Sequence, residues 1–262
     1  MHTRIARLDM SLRRRSLIGY SLGLALYTFV VVAIYPAFRN STSLNSLTEH
    51  NSAAAALFGV TGSITTPGGW LNANIYANFF PLIMLLLTIG YGAAALAGQD
   101  EDGTLCLQAT LPVRRSVIAA QKMAAMAVQG LALAVAVAAL ALVGHSFQLT
   151  IAPAHILAVS LTVLLMGVDF GLITMTAGAI TGRRGTALGI GSALAAASYL
   201  ISSLAPVAHW IHPARYASLF YWSVGNNQIS NGAGLSDYLV LLLTGLCAAC
   251  AAIAAFRRSD LH

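Results

Sequence analysis

The sequence predicts an all-α integral membrane protein with six transmembrane helices. Of its 262 residues, 58% are apolar and only 8% are charged, whereas about a quarter of the residues in a soluble domain are charged. The apolar residues fall into six runs, each within the range of about 17 to 25 residues that a bilayer-spanning helix needs, or slightly longer. Because a single hydrophobic phase would hold nearly the whole chain, we expect one transmembrane domain over residues 1–262 and no soluble domain.

The apolar runs and the charges between them predict the topology. We expect the spans at residues 17–35, 75–96, 117–143, 156–180, 187–204 and 238–256. Twelve of the 14 basic residues lie on one side of these spans, and only Arg39 and Arg215 lie on the other. By the positive-inside rule both termini are therefore predicted to be cytoplasmic. Since the charges lie at the ends of the spans, they indicate contact with membrane lipid and not with nucleic acid.

The N-terminal segment is predicted to be a short amphipathic helix on the inner membrane surface. Ile5, Leu8 and Leu12 recur there at helical spacing among five arginines. The alternative is a charge cluster that only orients the first span. The first apolar run is too long for a cleavable signal peptide, and no small-x-small cleavage site follows it before Pro36, so we expect it to remain as a membrane anchor.

The loop between the fifth and sixth spans, residues 206–237, is rich in aromatic residues, which are typical of the membrane interface. Pro213 is suited to open a short helix, and the sequence from Gly225 to Asn227 is suited to stop it. We therefore expect this loop to dip back into the outer leaflet as a lid. The candidate lid residues are Trp210, Tyr216, Phe220 and Trp222.

The sequence lacks two motifs that would indicate metal catalysis or nucleotide binding. It contains no His-Glu-x-x-His zinc pair and no Gly-x-x-x-x-Gly-Lys-Ser/Thr phosphate loop. We therefore predict that the chain is not an enzyme by itself and carries no metal or cofactor. A function driven by ATP would require a separate ATPase.

The loop after the second span carries the most informative residues. The acids suit the positive N-terminal end of a short helix, which Pro112 would end or redirect, and the arginines suit the point where the next span enters the membrane. An ordinary solvated loop is the alternative. The residues in question are Asp100, Glu101, Asp102, Gly103, Thr104, Leu105, Pro112, Arg114 and Arg115, with Lys122 downstream.

This pattern resembles the acidic cluster, Gly-Thr-Leu, Pro-x-Arg and downstream Lys of the type 2 ABC transporter permeases, the membrane subunits of many bacterial exporters. Residues 66–71 and Pro81 look like the start of the second span in that family, residues 181–185 look like its loop between spans four and five, and residues 256–261 are similar to its usual ending. One departure is Gln99, where the family commonly has Glu; with a shift of one residue, Asp100 takes that place.

The resemblance implies a six-span half-transporter in the bacterial cytoplasmic membrane. It would pair with a second permease subunit, identical or different, and with two cytoplasmic ABC ATPase subunits that bind ATP and Mg. The loop from Asp100 to Arg115 would be the coupling helix, which docks in a groove on the ATPase with its acids facing basic residues there.

Asp169 is the ionisable residue nearest the middle of a predicted span, where a charge costs about 2.5 to 3.5 kcal/mol. Thr162 and Thr176 lie seven residues to either side, so all three share one helix face. Two interpretations of this stripe are open. In the first, it faces a transport path or a dimer seam, where Asp169 would meet a cationic substrate. In the second, Asp169 is a structural carboxyl bonded to a neighbouring helix. A second polar face, containing Ser192 and Tyr199 on the fifth span, is interpreted as helix packing.

Together these observations predict the permease subunit of an ATP-driven exporter, which moves a hydrophobic or amphipathic compound such as a drug, antibiotic or lipid out of the cytoplasm or inner leaflet. Such efflux would serve multidrug or antibiotic resistance. One alternative is an ion-coupled secondary transporter or channel with Asp169 as its proton site. Another is a membrane assembly or sensor protein that transports nothing.

Overall fold

The computed structural model of the chain describes residues 4–39, 64–103, 114–206 and 212–258. All regular elements within these ranges are helices, which confirms the all-α fold class. Six helices are long and apolar enough to cross a membrane, and each contains one of the predicted spans. In chain order these six spans are Arg15–Phe38, Pro67–Glu101, Arg115–Phe147, Pro153–Thr181, Arg184–Leu204 and Leu235–Arg258.

The first span belongs to one continuous helix, Arg4–Phe38. The predicted N-terminal surface helix is therefore not a separate element, because it runs without a break into the first span. The physical reason lies in the sequence at the junction, which contains neither Gly nor Pro between Arg4 and Leu17. This helix packs along the third span.

The second span is interrupted by two turns of π-helix, Asn72–Tyr76 and Ala94–Gly98. The regular helix Phe79–Ala93 lies between them. A short helix, Pro67–Leu71, opens the span, and the side chain of Thr66 caps it by accepting from the Gly69 N–H. A single π-helical turn changes which face of a helix points toward a given neighbour. The two ends of this span therefore face different neighbouring helices.

The fourth span, Pro153–Thr181, is the centre of the bundle and packs against the second, third, fifth and sixth spans. Close backbone approach makes this possible. A Cβ added at Gly92 would lie 2.3 Å from the carbonyl oxygen of Gly171, and one added at Gly191 would lie 2.0 Å from Thr174 Oγ1. Small residues at helix crossings are what allow membrane helices to associate by van der Waals contact.

Residues 212–234, in the described part of the chain between the fifth and sixth spans, contain three short helical turns. They are a 3-10 helix His212–Ala217, a π-helix Tyr221–Gly225 and an α-helix Gln228–Asn231. Asn227 has a φ of 56°, which ends the π-helical segment and turns the chain. Phe220, Ser223 and Gln228 are buried. This part of the predicted lid loop therefore enters the bundle and packs against the fourth and sixth spans.

Candidate functional site

A cavity of about 540 Å³ lies between the second and fifth spans. Its walls are mainly apolar and include Phe79, Leu82 and Leu86 from the second span, and Leu188 and Ala195 from the fifth. These helices leave room for the cavity because its lining includes the small residues Gly90, Ala195 and Ala196. Such a volume is typical of pockets for small organic molecules, about 300 to 1,000 Å³.

A few polar groups of the cavity are held in fixed positions. Asn78 lies between the first π-helical turn and the regular helix of the second span, and its Oδ1 accepts a hydrogen bond of 3.1 Å from the hydroxyl of Tyr199. Ser192 adds a hydroxyl on the fifth span. Ser192 and Tyr199, interpreted from the sequence as a packing face, therefore line the cavity. Asn78 and Phe79 were not singled out from the sequence.

Phe220 closes part of the cavity and is separated from the other lid candidates. It is buried, and its ring packs against Tyr199 and Phe170 with centroid distances of 5.3 and 6.3 Å. Aromatic contacts of this kind orient as well as bury a ring. Tyr216 and Trp222 lie elsewhere in the loop, and Trp210 falls outside the described residues.

Tyr216 and Trp222 belong to an aromatic cluster around Arg215. The guanidinium of Arg215 lies 4.8 Å from the Tyr216 ring centroid and 5.1 Å from that of Tyr221. It also donates a 2.7 Å hydrogen bond to the Tyr216 hydroxyl, and this bond raises the pKa of Arg215 above its usual value. The indole N–H of Trp222 donates to the Tyr216 carbonyl at 2.8 Å. These contacts fix the position of the Arg215 side chain within the turn.

The stripe on the fourth span faces other parts of the same chain. Thr162 Oγ1 donates to the Ser223 carbonyl at 2.8 Å, and Thr176 Oγ1 lies 3.2 Å from the Ala248 carbonyl on the sixth span. Asp169 is buried, and a Cβ at Gly245 would lie 2.5 Å from its Oδ1. Asp169 is not among the residues that line the cavity. Asp169 thus lies against the sixth span and away from the cavity.

One carboxylate oxygen of Asp169, Oδ2, has no hydrogen-bond partner within the described ranges. The same is true of both side-chain polar atoms of Gln129 on the third span. A buried polar group without a partner is costly in a membrane interior. Neither group contributes to the cavity.

The acidic cluster lies at the end of the second span. Gln99–Glu101 is the last described α-helical turn of that span, and Gly103, with a φ of 67°, follows it. The segment in which we expect the short helix, residues 104–113, lies outside the described residues. Glu101 Oε1 accepts a 2.9 Å hydrogen bond from the backbone N–H of Arg184, at the start of the fifth span.

The other residues of the predicted coupling loop are described only in part. Asp100 is half-buried, whereas Glu101 and Asp102 are exposed. The fully buried Lys122 of the third span donates a hydrogen bond to Gln99 Oε1. Arg114 precedes the third span and Arg115 begins it. Thr104, Leu105 and Pro112 fall outside the described residues.

Metal-ligating residues do not cluster in the ranges that the structure describes, where no group of three or more His, Cys, Asp or Glu side chains is placed to hold an ion. Cys247 and Cys250 are exposed free thiols on the sixth span.

Comparison with known proteins adds one finding to this geometry. A family model described as "ABC-2 family transporter protein" matches residues 3–261. A search of curated proteins found no match.

Proposed function

The chain belongs to the ABC-2 transporter family, and on that premise we propose that it is the permease subunit of an ATP-driven exporter for hydrophobic or amphipathic compounds, such as a drug, antibiotic or lipid. Family membership makes it a multi-pass membrane subunit of an ABC transporter that is not itself catalytic. It also implies association with ABC ATPase subunits. The substrate class, the direction and the composition of the complex are the proposed parts.

The cavity between the second and fifth spans is the observation that carries the proposed substrate class. Its volume of about 540 Å³ suits one drug-sized molecule. Its apolar walls suit a hydrophobic body, while Asn78, Ser192 and Tyr199 supply a small number of hydrogen-bonding groups. An amphipathic compound would match this division, because its apolar part would contact the walls while its polar part could hydrogen-bond to these side chains.

The cavity walls are open on one side of the chain, where either lipid or a second permease subunit would contact them. Phe79, Leu82 and Leu86 are each about half exposed on the second span, with relative exposures of 46, 53 and 54%. Leu188 and Leu194 are likewise exposed on the fifth span. In the proposed complex a second permease subunit covers this side, and the substrate is held between the two subunits before release to the outside.

In the proposed mechanism two cytoplasmic ATPases provide the motion. The chain would lie in a bacterial cytoplasmic membrane with both termini and the coupling loop, from Asp100 to Arg115, facing the ATPases. ATP and Mg would bind to those partners and close them, and the loop would carry the movement into the spans. A rigid-body movement of the fifth span against the second would change the shape of the cavity, which is the kind of domain shift that switching proteins use.

The first test concerns the composition of the complex. The tagged chain is purified from its source cells in mild detergent together with any bound protein, which is identified by mass spectrometry. The purified complex is then reconstituted in liposomes with a lipophilic cationic dye and a neutral amphipathic dye. We expect a stoichiometric ATPase and ATP-dependent dye movement. If several mild detergents yield the folded chain without an ATPase, or if dye moves with an ion gradient and without ATP, the proposal is wrong.

The cavity itself is tested by one matched pair of variants. Ala196→Trp fills the cavity, whereas Ala197→Trp places the same side chain on an adjacent exposed position outside it. We expect only Ala196→Trp to weaken dye-stimulated ATP hydrolysis, by about tenfold, which corresponds to about 1.4 kcal/mol of binding free energy. Basal ATP hydrolysis and recovery of the complex should be equal in both variants. Equal stimulation in both would place the substrate elsewhere.

A further inference from the structure

We propose that Glu101 is a positioning residue, which couples the end of the second span to the fifth span by capping the N-terminus of the fifth helix. This inference rests on the proposed function, since it concerns how the ATPases move the cavity wall. It assigns Glu101 to a contact within the chain, and not to the groove of the ATPase.

The fifth span lacks a cap of its own. Its helix begins at Arg184, and the residue before it, Arg183, makes no side-chain capping hydrogen bond. The first N–H groups of any helix have no partner within the helix, and Ser, Thr, Asp or Asn usually supplies an acceptor at this position. Here the acceptor is Glu101, which lies 83 residues earlier in the chain, at 2.9 Å from the Arg184 nitrogen.

The capping contact also suits the charge of Glu101. The N-terminus of a helix carries a partial positive charge, which favours a carboxylate close to it. A hydrogen bond from a backbone N–H to a carboxylate is also stronger than one between neutral groups. The contact therefore holds the end of the second span to the start of the fifth.

The surrounding packing makes this contact a mechanical link. A Cβ added at Gly98 would lie 3.1 Å from Cδ of Arg184, so the two helix ends lie against each other. Ala187, one turn into the fifth span, is fully buried against this junction with Ala93 and Ala177. A displacement of Glu101 thus displaces the base of the fifth span.

The fifth span packs less extensively within its own chain than the fourth span does. Within its most apolar stretch 28% of the residues are buried in this chain, compared with 67% in the fourth span. The fifth span also forms one wall of the cavity through Leu188, Ala195 and Tyr199. Glu101 therefore contacts a helix whose movement would reshape the cavity.

Two pairs of substitutions separate capping from ATPase docking. Arg184→Pro deletes the N–H that Glu101 accepts from, whereas Arg184→Ala keeps it and removes only the side chain. Proline is tolerated at the first position of a helix, and Arg183 already has the extended backbone, φ −122° and ψ 118°, that a following proline requires. Glu101→Gln retains a side-chain oxygen that can accept the bond, and Glu101→Ala removes it.

The variants are measured in the reconstituted complex of permease and ATPase by dye-stimulated ATP hydrolysis and by ATPase recovery. We expect Glu101→Ala and Arg184→Pro to lose stimulation by about tenfold with the ATPase still bound, and the double variant to be no worse than either, because both remove one interaction. Glu101→Gln and Arg184→Ala should stay within about threefold of the unmodified complex.

Other outcomes overturn the inference. If Glu101→Gln and Glu101→Ala both release the ATPase, Glu101 is a docking contact that needs its charge. If the losses of the two single variants multiply in the double variant, Glu101 and Arg184 act separately. Should Arg184→Pro fail to fold, the comparison of Glu101→Gln with Glu101→Ala decides alone, since Glu101 is exposed. A complex that contains no ATPase would instead contradict the proposed function, and that result is distinct from all of these.

Discussion

Replacement of Thr162 by valine should detach the segment that enters the bundle between the fifth and sixth spans. Thr162 is fully buried, and its hydroxyl lies 2.8 Å from the Ser223 carbonyl and 2.9 Å from the Val159 carbonyl of its own helix. The Ser223 carbonyl lies in the π-helical turn that ends at Gly225, so the usual donors of a continuing helix are missing. Thr162 supplies the donor instead.

The expected loss in free energy of unfolding follows from the carbonyl group that valine leaves without a donor. Valine has nearly the shape of threonine, so the loss is that of a hydrogen bond to a buried carbonyl and not that of a cavity. Hydrogen bonds between membrane helices contribute about 0.6 kcal/mol on average and about 1.7 kcal/mol at most. An unsatisfied buried acceptor costs about 1 to 3 kcal/mol. We therefore expect Thr162→Val to lower the free energy of unfolding by about 1 to 2 kcal/mol.

Thr88→Val is the matched control for this measurement. Thr88 is also fully buried, but its hydroxyl donates to the Met84 carbonyl within its own regular helix at 3.0 Å. Because that carbonyl keeps a helical N–H donor, we expect a loss below about 0.5 kcal/mol. Unfolding is followed by circular dichroism during titration of mild-detergent micelles with SDS.

Equal losses in the two variants would refute this reasoning about the Ser223 carbonyl. A further result bears on the stripe that contains Thr162. If Thr162→Val abolished dye transport while the free energy of unfolding stayed unchanged, the stripe would belong to the transport path and the structural interpretation would be wrong.

Three further predictions concern packing and buried hydrogen bonds. Gly191→Ala should destabilise the chain by about 1 to 3 kcal/mol, because its Cβ would meet Thr174 Oγ1 at 2.0 Å, while Gly189→Ala should be neutral since nothing lies within 4 Å of it; unfolding titrations of both variants check this. Gln228→Met should lower the free energy of unfolding at least as much as Thr162→Val in the same titration, because Gln228 Nε2 donates to two carbonyls of the π-helical turn. Trp70→Phe should lower stability by about 1 kcal/mol, since its indole N–H donates to a buried carbonyl of the first span at 2.9 Å, and a shift in thermal unfolding midpoint would show it.

The six spans were predictable because a long apolar run is a local property of the chain. Each predicted span lies inside the helix that the structure gives it. The two π-helical turns of the second span were not predictable in this way, since apolar residues can populate either kind of turn. The first helix was predicted in two parts because its charge pattern changes near Arg15, while its backbone does not.

The candidate site was less predictable because it depends on which spans are neighbours. The cavity requires the second and fifth spans to face each other, and the residue pattern within either span does not indicate which span is its neighbour. Glu101 was identified as a functional acid, but its partner is a backbone N–H 83 residues away. A signal did exist, because a helix that begins at Arg183 and Arg184 has no capping side chain and needs an acceptor from elsewhere.

The continuous first helix has a consequence for how the protein sits in a bilayer. Its 35 residues give a rod of about 52 Å, whereas the hydrocarbon core is about 30 Å thick. Even at a tilt of about 40° the rod would rise about 40 Å along the membrane normal. Residues 4–14, which account for about 16 Å of its length, would therefore stand among the lipid headgroups or in water. A bilayer of different thickness would therefore change the tilt of the rod, while its N-terminal end kept its depth.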